Sequence, residues 1–84
     1  MNPTRLKIIY FASARDLVGK RQERVSIKGA PTIRELEGII QSLHPGLKSL
    51  EKSTRYAINF EIAAEDVRLR DGDEVGVLPA VTGG

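Results

Sequence analysis

The residues of this chain with the plainest capacity for chemistry are the last two, Gly83 and Gly84. A terminal glycine carries a carboxylate on a backbone with no Cβ, so it can pass through a narrow channel or lie close against another protein. Two glycines at a fixed end arise by chance in roughly one chain in 200, since glycine makes up about 7% of residues. The pair takes its meaning from what precedes it. Val75-Gly76-Val77-Leu78 is an apolar run, and Pro79-Ala80-Val81-Thr82 joins it to the glycines. That pattern expects a strand followed by a projecting tail over 79–84, with the terminus itself as the reacting group.

The other polar residues offer less. His44 is the only histidine and precedes Pro45; a lone histidine at a helix C-terminus usually caps the helix or complements its dipole. Asp71, Asp73 and Glu74 are three acids in a tight turn, which reads as a solvated hairpin. An EF-hand would need further ligands and a twelve-residue loop, so no metal site is expected. Arg68 and Arg70 fit either a contact to a partner protein or the charged guarding of a sheet edge. Lys20-Arg21 reads as a turn between elements. The chain has no cysteine, which excludes disulfides, thiolate metal sites and an internal sulfur nucleophile.

Composition bounds the rest. With 84 residues, 40% hydrophobic and 29% charged, the chain reads as one domain, 1–84, with a single core and no room for a deep enclosed active site. The net charge of +2 is too small to argue for nucleic acid. It is unevenly spread, however: residues 1–28 hold seven basic and two acidic residues, and residues 29–84 six basic and nine acidic. The basic residues are not interleaved with stacking aromatics, so RNA and DNA are not expected partners. A mixed solvated surface or a docking site for an acidic partner are the remaining readings. No apolar run is long enough for a membrane, no basic-then-apolar leader opens the sequence, and the expected location is the cytoplasm.

The elements that must position the tail follow from periodicity. Residues 5–11 (Arg-Leu-Lys-Ile-Ile-Tyr-Phe) predict a strand rich in β-branched and aromatic residues. Ser13 is placed to cap a short helix, with Asp16 in its first turn and Gly19 as its stop. Residues 21–27, with Val25 and Ile27 alternating, predict a strand near a sheet edge. Thr32-Ile33-Arg34-Glu35 is a capping box. From it Ile33, Leu36, Ile39, Ile40 and Leu43 recur at helical spacing, until His44-Pro45-Gly46 ends the helix. Leu47 and Leu50 add a helical turn. Residues 55–60 predict a strand, Ile62 a short further one, and Asp71-Gly72-Asp73-Glu74 a turn into the last strand, which Pro79 closes. One amphipathic helix has only the sheet to pack on. The expected fold is α+β, a mixed sheet packed on one long helix, with a short additional helix and the first and last strands adjacent at its centre.

With these residues in view the chain resembles the sulfur-carrier proteins of the ubiquitin-like β-grasp fold, and among them the small subunits of molybdopterin synthase, the MoaD-like carriers. The resemblance rests on Tyr10-Phe11-Ala12, Ala14-Arg15-Asp16-Leu17-Val18-Gly19, Thr32-Ile33-Arg34-Glu35-Leu36 and His44-Pro45-Gly46-Leu47. Its most specific part is Leu69-Arg70-Asp71-Gly72-Asp73-Glu74-Val75 followed by Leu78-Pro79-Ala80-Val81-Thr82-Gly83-Gly84. Ala80 departs from the pattern, which often has a second proline there.

The resemblance implies a carrier that is not an enzyme by itself. Gly84 would be adenylated by an E1-like activating enzyme, giving a transient AMP adduct, and then converted to a thiocarboxylate by a sulfur donor. The thiocarboxylate would give its sulfur to a cyclic pterin phosphate in the large subunit of the synthase, in an assembly of two small and two large subunits. Gly83, Thr82 and Val81 would thread into the partner, and no cofactor would be held permanently. Phe11 and Ile62 match positions the family uses for docking. Alternation adds Leu78: if Val75 and Val77 face the helix, Leu78 faces away. Readings as a protein modifier, a thiamine-pathway sulfur carrier or a plain interaction domain stand beside this one.

Overall fold

The computed structural model describes residues 2–80. Strand β1 (Pro3–Tyr10) runs into helix α1 (Ala12–Val18), which is followed by β2 (Gln22–Lys28), α2 (Ile33–Leu43), a 3₁₀ segment (Pro45–Ser53), β3 (Thr54–Ile58), β4 (Glu61–Ala63) and β5 (Glu74–Pro79). The five strands form one sheet in the order β2-β1-β5-β3-β4. β1 and β5 are parallel neighbours, and every other pairing is antiparallel. The sheet is mixed, with the first and last strands side by side and β2 at an edge, as the sequence predicts.

Alternation in β1 divides the two faces of the sheet. Thr4, Leu6, Ile8 and Tyr10 are buried, while Arg5, Lys7 and Ile9 turn the other way. Ile33, Leu36 and Ile40 of α2 join Leu6, Ile8, Tyr10, Val75 and Val77 in a single buried cluster. Each fully buried aliphatic side chain there contributes roughly 1.5–3 kcal/mol. The helix starts where the capping box places it: the Thr32 hydroxyl accepts from the Glu35 N–H at 3.1 Å, and the Glu35 carboxylate accepts from the Thr32 N–H at 3.0 Å.

Four local expectations are corrected. Helix α1 begins one residue before Ser13. Its N-cap is Phe11, with extended backbone and no side-chain cap, and the Phe11 carbonyl accepts the N–H groups of Ala14 and Arg15. The strand passes into the helix without a linker, and Ala12 turns the corner at φ 48°. Leu43, expected on the buried stripe, is 54% exposed. At 100° per residue it falls on the stripe's flank, and the buried Leu47 of the 3₁₀ segment enters the core cluster instead. The strand expected over 55–60 stops at Ile58, because Asn59 and Phe60 form a two-residue loop closed by the Ile58–Glu61 pair.

The fourth correction concerns the tail. Pro79 is buried and still paired with Thr54, and the Ala80 N–H donates to the Ser53 carbonyl at 2.7 Å. Proline lacks an N–H, but here the next residue supplies the donor that prolongs the ladder. The sheet therefore holds the chain as far as Ala80, and a tail over 79–84 begins later than expected.

Candidate functional site: an apolar groove at the end of the central strand

Of the residues the sequence singled out for chemistry, Val81, Thr82, Gly83 and Gly84 lie outside the described residues. Their point of departure is defined. β5 is clasped by β1 on one side and β3 on the other, so the chain leaves from the middle of the sheet.

The face of the sheet opposite α2 carries a groove of about 210 Å³. Phe11, Ile62 and Leu78, the three docking residues taken from the sequence, all line it. Val75 and Val77 are fully buried on the helix side, and Leu78, next in the strand, is half-buried on the other. Phe11 continues the outward face of β1 two residues beyond Ile9, and its N–H donates to the Val77 carbonyl at 3.2 Å. Ile62 on β4 pairs with Ala57 on β3, which pairs with Gly76 on β5, which pairs with Ile9 on β1. The groove is one transverse row of the sheet, Ile9, Gly76, Ala57 and Ile62, with Phe11 and Leu78 rising beside it.

Gly76 makes that depth. A Cβ there would lie 3.3 Å from the Phe11 Cε2 and 3.8 Å from the Ala57 Cβ, so the Phe11 ring rests over a bare stretch of backbone. A glycine inside a strand signals such a close approach, and the same alternation that places Leu78 also places Ile9. Phe60 is the residue that sequence reasoning missed altogether. It lines the groove from the β3–β4 loop, is 88% exposed, and holds φ 74° beside Asn59 at φ 49°. Positive φ at both central residues is the type I′ requirement, for which Asn-Gly is the preferred sequence. A phenylalanine in that second position is a backbone outlier.

The polar candidates are occupied in holding the fold. Asp71 accepts from the Arg5 N–H at 2.7 Å and from its guanidinium at 3.0 and 3.2 Å, and that guanidinium keeps the Asp71 carboxyl below its usual range. Asp73 accepts from the Arg70 N–H and from the Asn59 amide. The hairpin acids thus bind backbone and side chains across the turn, where Gly72 takes φ 91°. Among the described residues no three His, Cys, Asp or Glu side chains come together to hold a metal ion. Arg68 donates to the Ala30 carbonyl at 2.7 Å, fastening the segment before β5 to the entrance of α2.

His44 does more than end its helix. Its N–H donates to the Ile40 carbonyl, while its Nε2 lies 2.6 Å from the Glu23 carboxylate on β2. The Tyr10 hydroxyl donates to the same carboxylate, and the Tyr10 and His44 rings meet edge to face. The cluster is largely screened from water, with the side chains of Glu23 and His44 only 15% and 18% exposed. Loss of hydration works to raise the Glu23 pKa, but the hydrogen bonds from Tyr10 and His44 outweigh it and hold the carboxyl below its ordinary value. Burial, and then the Glu23 carboxylate, push the Tyr10 hydroxyl up. The cluster ties β1, β2 and the end of α2 together, on the side of the sheet away from the groove.

The sheet order and the single long helix packed on one of its faces define a small protein of the ubiquitin-like β-grasp class. Residues 8–84 match the ThiS family, and the chain belongs to that family. It is 32% identical over 81 residues to the molybdopterin synthase sulfur carrier subunit of Chlamydomonas reinhardtii, which covers 94% of this chain and 98% of that one. Among solved structures, subunit 1 of a molybdopterin converting factor from Pyrococcus furiosus superposes with a TM-score of 0.84 at 29% identity, over 93% of this chain and 99% of that one. The small archaeal modifier protein 1 of H. volcanii superposes with a TM-score of 0.83 at 26% identity, over the same shares. Among the described residues no helix is long and apolar enough to cross a membrane.

Proposed function

We propose that this protein is the sulfur carrier of molybdenum cofactor biosynthesis, the small subunit of a molybdopterin synthase acting in the cytoplasm. The observation that carries the reading is the apolar groove beside the exit of the central strand. It offers a partner a place to grip beside the point where the chain leaves the sheet toward Gly83-Gly84, and its lining is apolar apart from the single carboxylate of Glu74. The matching sulfur carrier subunit from Chlamydomonas supports the pathway.

The chemistry falls to Gly84. Its carboxylate oxygen attacks the α-phosphorus of ATP in an E1-like enzyme, and pyrophosphate leaves. Sulfide delivered by a sulfur donor then attacks the acyl carbon, the bond to the AMP oxygen breaks and AMP departs, and loss of the sulfur's proton leaves a thiocarboxylate. That terminus is an ionised, soft nucleophile which the large subunit receives and directs to the cyclic pterin phosphate. Gly83 gives the tail clearance in the partner's channel, and Thr82 and Val81 set its approach. The carrier binds no cofactor permanently. Groups that stabilise the adenylate or move protons belong to the partners.

The likeness to an archaeal modifier protein favours one second reading, in which the activated glycine passes to a lysine amine. Intact mass after incubation with ATP, the activating enzyme and a sulfur source separates the outcomes. A gain equal to one oxygen-for-sulfur exchange at Gly84 is expected. An unchanged mass, with the enzyme active on a control carrier, overturns the sulfur-carrier reading. High-mass conjugates in cells that vanish on deletion of Gly83 and Gly84 would favour the modifier.

A further inference from the structure

Four of the seven basic residues in 1–28, Arg5, Lys7, Arg24 and Lys28, stand on the same sheet face as the groove. On that face β2 presents Gln22, Arg24, Ser26 and Lys28, the residues alternate to Glu23, Val25 and Ile27. β1 presents Arg5, Lys7 and Ile9. The register sets Lys7 directly opposite Arg24 and leaves Arg5 opposite Ser26. Like charges directly opposite in a ladder are destabilising, so the free protein carries a cost at this pair. Among the described residues Arg5 is answered by Asp71, whereas Lys7, Arg24, Lys28 and Arg55 make no ion pair within 4.0 Å. The nearest carboxylate in register is Glu74, across β5 from Lys7. It faces a single lysine and leaves Arg24 unanswered.

These cations border the groove on two sides. The Lys7–Arg24 row lies one outward step along β1 and β2 from Ile9 and Gln22, where the groove begins. On the far side Arg55 pairs with Leu78. Glu74 is the one carboxylate lining the cleft, against Lys7, Arg24 and Arg55 around it, so the surround keeps a positive excess and is complementary to an apolar contact flanked by carboxylates. Nucleic acid fits poorly, because the aromatics present, Phe11 and Phe60, wall the cleft and do not form a stacking row among the cations.

We propose that the large subunit presents an acidic surface around its apolar contact, and that Lys7 and Arg24, with Arg55 opposite, steer that surface onto the groove and fix its orientation. This rests on the docking reading above and adds the chemistry of the partner's face. Charges at the edge of an interface act mainly on the rate of encounter and its salt dependence, raising association by roughly 10- to 1,000-fold at low ionic strength.

The test is stopped-flow association of the full chain with the large subunit across a salt series, for the wild type, Lys7→Gln/Arg24→Gln, Arg24→Glu and Leu78→Ser. The wild-type rate should fall steeply with salt. Lys7→Gln/Arg24→Gln should associate about tenfold more slowly at low salt, with a flattened salt dependence and a dissociation rate within about twofold of wild type. Arg24→Glu should slow association further while its melting temperature stays level or rises, because the clash with Lys7 is gone. A purely structural role for Arg24 would lower both. Loss of binding in Leu78→Ser, with wild-type rates and salt slope in the charge variants, would leave the groove as the docking site and overturn the acidic partner. No complex with the wild type would overturn the docking reading itself. A salt-dependent interaction with single-stranded RNA or with a second copy of this chain, in place of the large subunit, would overturn the proposal as well.

Discussion

At Gly76 one methyl group decides between a groove and a flat patch. Gly76→Ala puts a Cβ 3.3 Å from the Phe11 ring, which is exposed enough to shift aside. We expect stability to hold or to rise by about 0.5 kcal/mol, since alanine loses less freedom in a strand, while affinity for the large subunit falls several-fold; calorimetry and a binding titration read the two effects separately. Leu78→Ser removes the apolar wall without touching the core. It should weaken the complex by about 10- to 100-fold, in the range of a truncated interface anchor, with the melting temperature nearly unchanged. Glu23 belongs to stability alone. Its folded pKa lies below its ordinary value of 4.5, so its contribution is present above that value and is lost as pH falls through the folded pKa. Tyr10, raised above 10.0, contributes fully below that value and loses its contribution as pH climbs higher. Glu23→Gln should cost about 1 kcal/mol at neutral pH and flatten the acid limb of the stability curve. An unaltered acid limb in urea melts across pH would remove the cluster from this role.

The hairpin between β3 and β4 sets stability against contact area. Both loop residues sit at positive φ, and phenylalanine there costs of order 1 kcal/mol that glycine would not. Phe60→Gly should therefore raise the melting temperature by about 4–8 °C and also weaken partner binding, because the groove loses a wall. A variant that gained stability and kept full affinity would show that the ring takes no part in docking. At the other end of the core, Thr32→Ala should cost about 1 kcal/mol by opening the capping box. These two elements were unequally legible. Thr32 and Glu35 announce a helix start through a spacing that is itself the mechanism, and Ile33, Leu36 and Ile40 continue it at the helical period. Asn59-Phe60 gave no such sign: without glycine or proline it reads as more strand, and only the pairing of Ile58 with Glu61 reveals the turn. The Tyr10–Glu23–His44 cluster was hidden for another reason. Its members stand on three elements, and no local pattern couples positions so far apart. Ser13 misled because a capping residue was present where the strand's own last carbonyl took the role.

At the scale of the molecule, the chain order runs counter to the spatial order. β5 comes last in sequence, yet it takes the centre of the sheet between the first strand and β3. Alternation along β5 made Leu78 readable in advance, and the family resemblance supplied Phe11 and Ile62. The floor at Gly76 and the surrounding cations became visible only once register had placed four strands side by side. The same register leaves the net charge of +2 uninformative, since the sign that matters is that of one face.

The central seat of β5 also has a mechanical meaning. A pull on the C-terminal end does not peel an edge strand away bond by bond. It loads the parallel ladder to β1 and the antiparallel ladder to β3 together, in shear, with the last bond from Ala80 to Ser53 at the point of entry. A partner that pulled on the tail would thus work against a strand braced on both sides. Force spectroscopy with one handle at Ala80 and the other on β1 should meet far greater resistance than with handles on β4 and β3, because the latter pair can unzip.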